Sequence, residues 1–221
     1  MSQFIGTVAY LGGVWALPEV FAWAWGQLIQ FNAEHLGPIH YTRATTSEHR
    51  LARNHLAKTM RGEWLVMLDT DHQFEPDLVA RLLHRAESYG LEVLSGLYRY
   101  KTPPYAPVMY TCGSNRRVFD PIIQWETPIV NVDAVGAGVL LVRRKVFDRI
   151  RAELREEPFD HRPPLGEDMS FCERCRQLEI PIWVDTRIES RHLIPQTIGD
   201  EHFDADACYR VIESRRDGIT G

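Results

Sequence analysis

Two aspartates stand directly after a short run of apolar residues in this chain. Trp64 to Leu68 are apolar without a break, and Asp69 and Asp71 follow, spaced by one residue. A short apolar run that ends in polar residues is typical of a buried strand in a parallel sheet. Ligands bind beyond the carboxyl ends of such strands, and alternate residues of an extended strand face the same side. The spacing predicts two convergent carboxylates that can hold a divalent cation beside a phosphate; the simpler alternative is an aspartate-containing turn.

Two earlier or later segments contain residue types that suit the same kind of site. Arg53, followed by Asn54, could neutralise a diphosphate, and the alternative is a solvated helix residue. The segment Gly136-Ala137-Gly138 separates two apolar stretches. Glycines permit the backbone to approach a ligand closely, although taken alone they more often mark a bulge or a tight bend.

An acidic pair and a histidine complete the set of candidates. Glu167 and Asp168 follow Gly166 at the start of a predicted helix, where acids commonly stabilise the helix dipole as caps. His192 lies downstream, after one more predicted strand and a turn. Each feature is a weak signal alone, and only their order along the chain makes them informative together.

The elements that must position these residues alternate through the first hundred residues. We expect strands and helices in turn, with Pro18 and Pro76 in the first turns of helices and Gly90 as a stop. The expected elements are a strand at 4–11, a helix at 18–34, a strand at 40–44, a helix at 45–60, the aspartate strand, a helix at 76–89 and a strand at 91–97. This alternation predicts an α/β fold with a mostly parallel sheet flanked by helices.

The second half of the chain has a different rhythm. We expect a β-hairpin within residues 101–128 and strands at 129–135 and 139–142. Further expected elements are a helix at 145–154, a helix at 166–178, a strand at 180–184 and a short helix at 204–214. Cys172-x-x-Cys175 would place two sulfurs on one helix face; without a second close cysteine pair, we favour buried packing over a zinc or redox site.

Bulk composition excludes some classes of protein. The chain has 221 residues, of which 44% are hydrophobic and 25% charged, as in ordinary globular proteins. The net charge of −5 gives no indication of nucleic-acid binding. Residues 4–29 are apolar, but the helical part would span roughly 20 Å, less than the ~30 Å hydrocarbon core. With no basic segment or cleavage site there, we expect a cytoplasmic protein without a membrane span.

Together and in this order, these features resemble the GT-A glycosyltransferases, enzymes that use nucleotide-sugar donors. The resemblance spans about residues 45–195, and its matching segments are Arg53-Asn54, residues 64–71, residues 135–141, residues 166–172 and His192. It implies one GT-A domain over residues 1–221. Residues 1–100 would form the nucleotide-binding half, residues 101–195 the acceptor and sugar half, and residues 196–221 a C-terminal tail.

The resemblance also assigns roles by position. Asp71 and His192 would bind the metal together with Asp69, which could instead contact the donor ribose. Asp168 would be the general base and Glu167 would orient a substrate. Arg53 would bind the donor diphosphate, and Gly136, Ala137 and Gly138 would line the donor sugar. A ligand set of carboxylates and one imidazole suits Mn²⁺ or Mg²⁺, with the imidazole favouring Mn²⁺.

The implied activity is that of a metal-dependent glycosyltransferase of the hexosyltransferase type (EC 2.4). Its partners would be a nucleotide-diphosphate sugar and an acceptor hydroxyl on a small molecule, glycan or protein. Two alternatives stay open. One is a haloacid-dehalogenase-like phosphatase, although position 73 is Gln where those enzymes usually have Thr or Val. The other is a non-catalytic binding or structural protein on a degenerate transferase fold.

Overall fold

Strands and helices alternate through the first half of the chain, as the sequence predicts. The structure is a computed structural model that describes residues 4–12, 17–113, 119–194, 196–198, 206 and 208–210. The elements of the first half are β1 (Gly6–Leu11), α1 (Glu19–His35), β2 (Ile39–Ala44), α2 (His49–Thr59), β3 (Trp64–Asp69), β4 (His72–Phe74), α3 (Leu78–Tyr89) and β5 (Val93–Leu97).

The second half contains several short strands and one long strand, together with helices. Its elements are β6 (Met109–Cys112), β7 (Phe119–Pro121), β8 (Ile129–Val132), β9 (Ala134–Val135), β10 (Val139–Arg143), α4 (Arg144–Arg149), a π-helical turn (Ile150–Leu154), α5 (Glu167–Gln177), β11 (Ile182–Ile194) and β12 (Gln196–Ile198). The expected hairpin is present as β6 and β7, which form a small separate sheet with β9. Most of the expected helix at 204–214 lies outside the described residues.

The central sheet is mixed, and most of its strands run in one direction. Its order is β12-β11-β5-β10-β3-β1-β2. The strands β1, β2 and β3 are parallel neighbours, β5 and β11 are also parallel, and β10 runs antiparallel between β3 and β5. The predicted fold class, a mostly parallel α/β sheet flanked by helices, is therefore confirmed.

The sheet is buried on both faces, which explains the continuous apolar run of β3. Trp64 to Leu68 are at most 3% exposed. One face packs against α1 and α3 through residues such as Phe21 and Leu82. The other face packs against α2 and α5, where Cys172 and Cys175 are fully buried as free thiols, as the packing interpretation expects. Because helices cover both faces of the sheet, the carboxyl ends of its parallel strands are held in fixed positions.

The strand β11 is longer than the sequence predicts. We expected a strand at 180–184 and a turn before His192, but β11 runs from Ile182 to Ile194 and includes that histidine. It pairs with β5 up to Asp185, and the pairing then shifts in register before resuming at Glu189. This irregularity interrupts the period-two pattern, so the sequence does not indicate the second part of the strand.

Within the described part of the chain, none of the helices has the length and apolar character needed to cross a membrane.

Candidate active site

The end of β3 and the start of β4 place the two aspartates in different surroundings. β3 ends at Asp69, and the chain turns through Thr70 and Asp71 before β4 begins at His72. The Asp69 backbone N–H donates to the Gly138 carbonyl at 2.9 Å, so this residue is still tied to the sheet. The expected extended path through both aspartates is replaced by a turn after Asp69, so the two residues do not lie on one strand.

The short strand β4 brings two distant histidines together. It pairs antiparallel with β11, and the register places His72 directly opposite His192. The Leu193 N–H donates to the Asp71 carbonyl at 2.7 Å, which extends the pairing to the turn. Directly opposite side chains on an antiparallel pair lie close together, and here the two imidazole centroids are 4.2 Å apart.

Asp71, His72 and His192 form a cluster of three groups suited to a metal ion. One ligand atom from each lies within 4.8 Å of the others. Asp71 Oδ1 and His72 Nε2 are 3.8 Å apart, and both are buried without a hydrogen-bond partner among the residues that the structure describes. Buried polar atoms without partners are rare, and here they fit the donors that a divalent ion needs. The predicted ligands Asp71 and His192 thus meet, whereas Asp69 lies outside this cluster and His72 is the third member.

Both imidazoles are held in the form that binds metals. His192 Nδ1 donates to the Arg99 carbonyl, which leaves the lone pair on Nε2. His72 Nδ1 lies 2.8 Å from Ser190 Oγ. Burial lowers the pKa of His72 to about 3, with the nearby His192 acting in the same direction, and burial also lowers the pKa of His192. Both rings are therefore neutral at pH 7.

Asp71 also contacts a cation of the chain. Lys101 Nζ donates to Asp71 Oδ2. Burial acts to raise the pKa of Asp71, but the hydrogen bond from Lys101 outweighs it, and the pKa is lowered overall. The carboxylate is therefore ionised at neutral pH, as a metal ligand must be.

A second group of predicted residues is organised by Arg53 on α2. Its guanidinium is buried, with Nη2 donating to both oxygens of Asp69 at 3.1 and 3.2 Å and Nη1 donating to the Ala137 carbonyl at 2.9 Å. Its Nε lies 3.6 Å from Glu167 Oε1. Burial alone would lower the pKa of Arg53, but the nearby carboxylates, Asp69 first, raise it above its usual value. This buried cation neutralises acids of the chain itself.

The glycines at 136 and 138 are required by close packing against two side chains. A Cβ at Gly136 would lie 2.1 Å from Tyr98 Oη, and one at Gly138 would lie 2.7 Å from His72 Nε2. The Gly138 N–H donates to Tyr98 Oη at 3.1 Å. The Tyr98 ring also meets the His72 and His192 rings edge to face, at centroid distances of 4.9 and 5.3 Å. Tyr98 therefore links the glycine segment to both histidines.

The surroundings shift the pKa values of the two acids at the start of α5 in opposite directions. Glu167 lies 3.6 Å from His49 Nδ1, and hydrogen bonding with His49, supported by Arg53, lowers the pKa of Glu167 to about 2. Burial raises the pKa of the neighbouring Asp168, and the charge of Glu167 raises it further. Opposite shifts in adjacent carboxyls are typical of groups with different roles. Asp168 is the better proton acceptor of the two.

Three residues of this region were missed by sequence reasoning. His72 directly follows Asp71, so a search for imidazoles beside the second aspartate would have found it. Tyr98 and Lys101 come just after β5, and their contacts exist only because that strand lies between β10 and β11 in the folded sheet. No local pattern indicates these two residues.

Comparisons with known proteins agree with this fold. The model of the family described as Glycosyl transferase family 2 matches residues 27–151, more than half of the chain. No curated protein matches the chain. Among solved structures, the crystal structure of A197 from STIV is similar, with a TM-score of 0.54, 17% identity and 85% of each chain covered. At that identity the likeness concerns the fold alone.

Proposed function

This chain belongs to glycosyl transferase family 2, and from that premise we propose that it transfers a sugar from a nucleotide-sugar donor to an acceptor hydroxyl with the help of a divalent metal ion. The observation that carries the proposal is the cluster of Asp71, His72 and His192 at the end of the apolar strand β3, with its two unpartnered buried atoms. Residues 1–100 would bind the nucleotide, and residues 101–195 would bind the sugar and the acceptor.

The metal would be held by one carboxylate and two imidazoles. A divalent ion there supplies Lewis-acid stabilisation of the negative charge on the departing nucleoside diphosphate. Two imidazole ligands favour Mn²⁺ over Mg²⁺, because Mg²⁺ prefers oxygen ligands and water. The hydrogen bond between His72 Nδ1 and Ser190 Oγ, and the one that His192 Nδ1 donates to the Arg99 carbonyl, fix the orientation of both rings.

Asp168 would accept the proton of the acceptor hydroxyl. A raised pKa makes this carboxylate a stronger base than an ordinary aspartate while it stays ionised at neutral pH. Glu167 and Arg53 form an ion pair beside Asp168. This pair would orient substrate groups and keep a cation near Asp69. Direct attack by a hydroxyl activated at Asp168 would invert the configuration of the transferred sugar.

The first experiment is a thermal unfolding series with nucleotide sugars. Wild-type protein is heated with each of several UDP- and GDP-sugars, in Mn²⁺ and again in EDTA. A donor at about one hundred times its Kd should stabilise the native state by about 2.7 kcal/mol, and only when Mn²⁺ is present. Equal stabilisation in EDTA would contradict the metal assignment.

The base is tested by replacing Asp168 with Asn. Since the amide cannot accept the proton, turnover should fall by about 10² to 10⁴-fold, while donor binding measured by the thermal shift stays close to that of the wild type. Asp148→Asn, at an exposed position of α4, is the matched control and should retain full turnover. If Asp168→Asn turns over at the rate of the control, the base is another group.

A further inference from the structure

Lys101 presents an ammonium group beside the metal cluster. It bonds to Oδ2 of Asp71, while Oδ1 of the same carboxylate is the buried atom without a partner. The side chains of Lys101 and Asp71 are 39% and 37% exposed, so the pair lies at the open mouth of the site. The backbone before Lys101 is held in place, because the Arg99 carbonyl accepts from His192 and the Tyr100 N–H donates to the Ala106 carbonyl at 2.9 Å.

Stability does not explain this arrangement. Ion pairs that are this exposed contribute little to folding, because water screens them. A divalent ion bound by Asp71, His72 and His192 would also lie near the ammonium, and two cations close together repel each other. Placing two cations at one mouth is favourable when an anion lies between them and contacts both.

We propose that Lys101 binds the diphosphate of the donor, exchanging its hydrogen bond with Asp71 for one with a phosphate oxygen. This inference rests on the nucleotide-sugar function proposed above. The charges of Asp71 and Lys101 cancel, and the histidines are neutral ligands, so the positive charge of a bound divalent ion is left to be balanced. The phosphates of a nucleotide sugar supply that negative charge. Lysine binds phosphate as a flexible point charge, which suits a side chain that must change partners.

The test compares three lysine variants by isothermal titration calorimetry. Lys101→Met removes the charge at nearly constant length, and Lys101→Arg keeps the charge. Lys145→Met is the matched control, because Lys145 pairs with Glu92 at 2.6 Å beyond the other end of β10. Each variant is titrated first with Mn²⁺ alone, and then, in saturating Mn²⁺, with UDP, GDP, ADP, CDP and dTDP.

The two titrations should respond in different ways. Lys101→Met should bind Mn²⁺ alone at least as tightly as the wild type, because the competing ammonium is gone. Its affinity for the nucleoside diphosphate that binds the wild type should fall by about tenfold or more, the effect of losing one charge-assisted hydrogen bond. Lys101→Arg should stay within a few-fold of the wild type, and Lys145→Met should match it in both titrations.

Three results would overturn the inference, and they are distinguishable. Wild-type nucleotide affinity in Lys101→Met would show that the ammonium does not contact the diphosphate, with the proposed function intact. Weaker binding of Mn²⁺ alone in that variant would show that Lys101 supports the metal ligands instead. Failure of wild-type protein to bind any of the nucleoside diphosphates would overturn the inference and the proposed function together.

Discussion

Asp69 and Asp71 are separated by one residue, yet the folded chain surrounds them with different neighbours. Asp69 faces Arg53, a buried cation that the chain supplies and holds with a further bond to the Ala137 carbonyl. Asp71 faces two neutral histidines and keeps a buried oxygen without a partner. In the first region both oxygens of Asp69 have a partner, and the Nε of Arg53, without a hydrogen bond among the described residues, lies 3.6 Å from Glu167. In the second region, carboxylate and imidazole atoms are left over as donors for a metal ion.

The contrast shows that the spacing of residues along a sequence can locate a site but does not assign a role to each residue. Both aspartates follow the same apolar strand, and both are common ligands of divalent ions. What separates them is the neighbour that tertiary structure places beside each one. A guanidinium within 3.1 Å satisfies Asp69, and no equivalent buried cation meets Asp71, whose partner Lys101 is partly exposed.

The largest effect should come from exchanging the two aspartates separately for asparagine. Asp71→Asn removes the anionic member of the cluster, so Mn²⁺ affinity should fall by more than about 100-fold and transfer should become barely measurable. Asp69→Asn should change Mn²⁺ affinity by only a few-fold, because its carboxylate lies on Arg53. Titration calorimetry with Mn²⁺ measures both. Equal losses of Mn²⁺ affinity in the two variants would erase the distinction between the regions.

A smaller effect, on stability, should come from removing the cation of the first region. Arg53→Met leaves Asp69 and Glu167 without their shared partner in a largely buried setting, which should lower the free energy of unfolding by about 2–4 kcal/mol. Arg50→Met, on the same helix, breaks more exposed pairs with Glu48 and Asp160 and should lower the free energy of unfolding much less, because water screens such pairs. Urea denaturation compares them. Similar urea midpoints for the two variants would show that the contacts of Arg53 contribute no more to stability than the more exposed pairs of Arg50.

The smallest effect should be a shift in the pH dependence of transfer. Asp168 must be ionised to accept a proton, so kcat/KM should fall as the pH drops through its raised pKa. Glu167→Gln removes a charge that contributes to this raised pKa, so the acid limb should move to lower pH, by less than about one unit. Glu173→Gln, which alters a pair with Arg176 on the same helix, is the control. An acid limb of the pH profile that stays in place or moves to higher pH would show that the charge of Glu167 does not raise the pKa of the base.

The sequence predicted the layer of strands and helices well, because that layer depends on local patterns. The apolar run of Trp64 to Leu68 and the helix stop at Gly90 are readable without tertiary information, and the structure has both. The order of the candidate residues also led to Asp71 and His192, which do meet.

The remaining parts of the site could not be predicted because they depend on contacts between distant segments. β4 has only three residues, too few for any periodic signal, yet it sets the position of His72. The sequence places Asp69 at the metal or the donor ribose, and nothing local shows that Arg53 reaches it from α2. The glycines at 136 and 138 look like a sugar-binding segment, but their immediate requirement is the volume of Tyr98 and His72.

The irregular stretch of β11 restricts how this chain can vary. Three residues, 186–188, lie between the last regular pair with β5 and the resumed pairing at Glu189. Three residues later His192 must face His72, and the side chains of a strand alternate between its two faces. A change of length within 186–188 that shifts the following register by one residue would turn His192 to the opposite face, while the pairing of Ile182 to Asp185 stays unchanged. Evolution can therefore exchange residues in this stretch more freely than it can change their number.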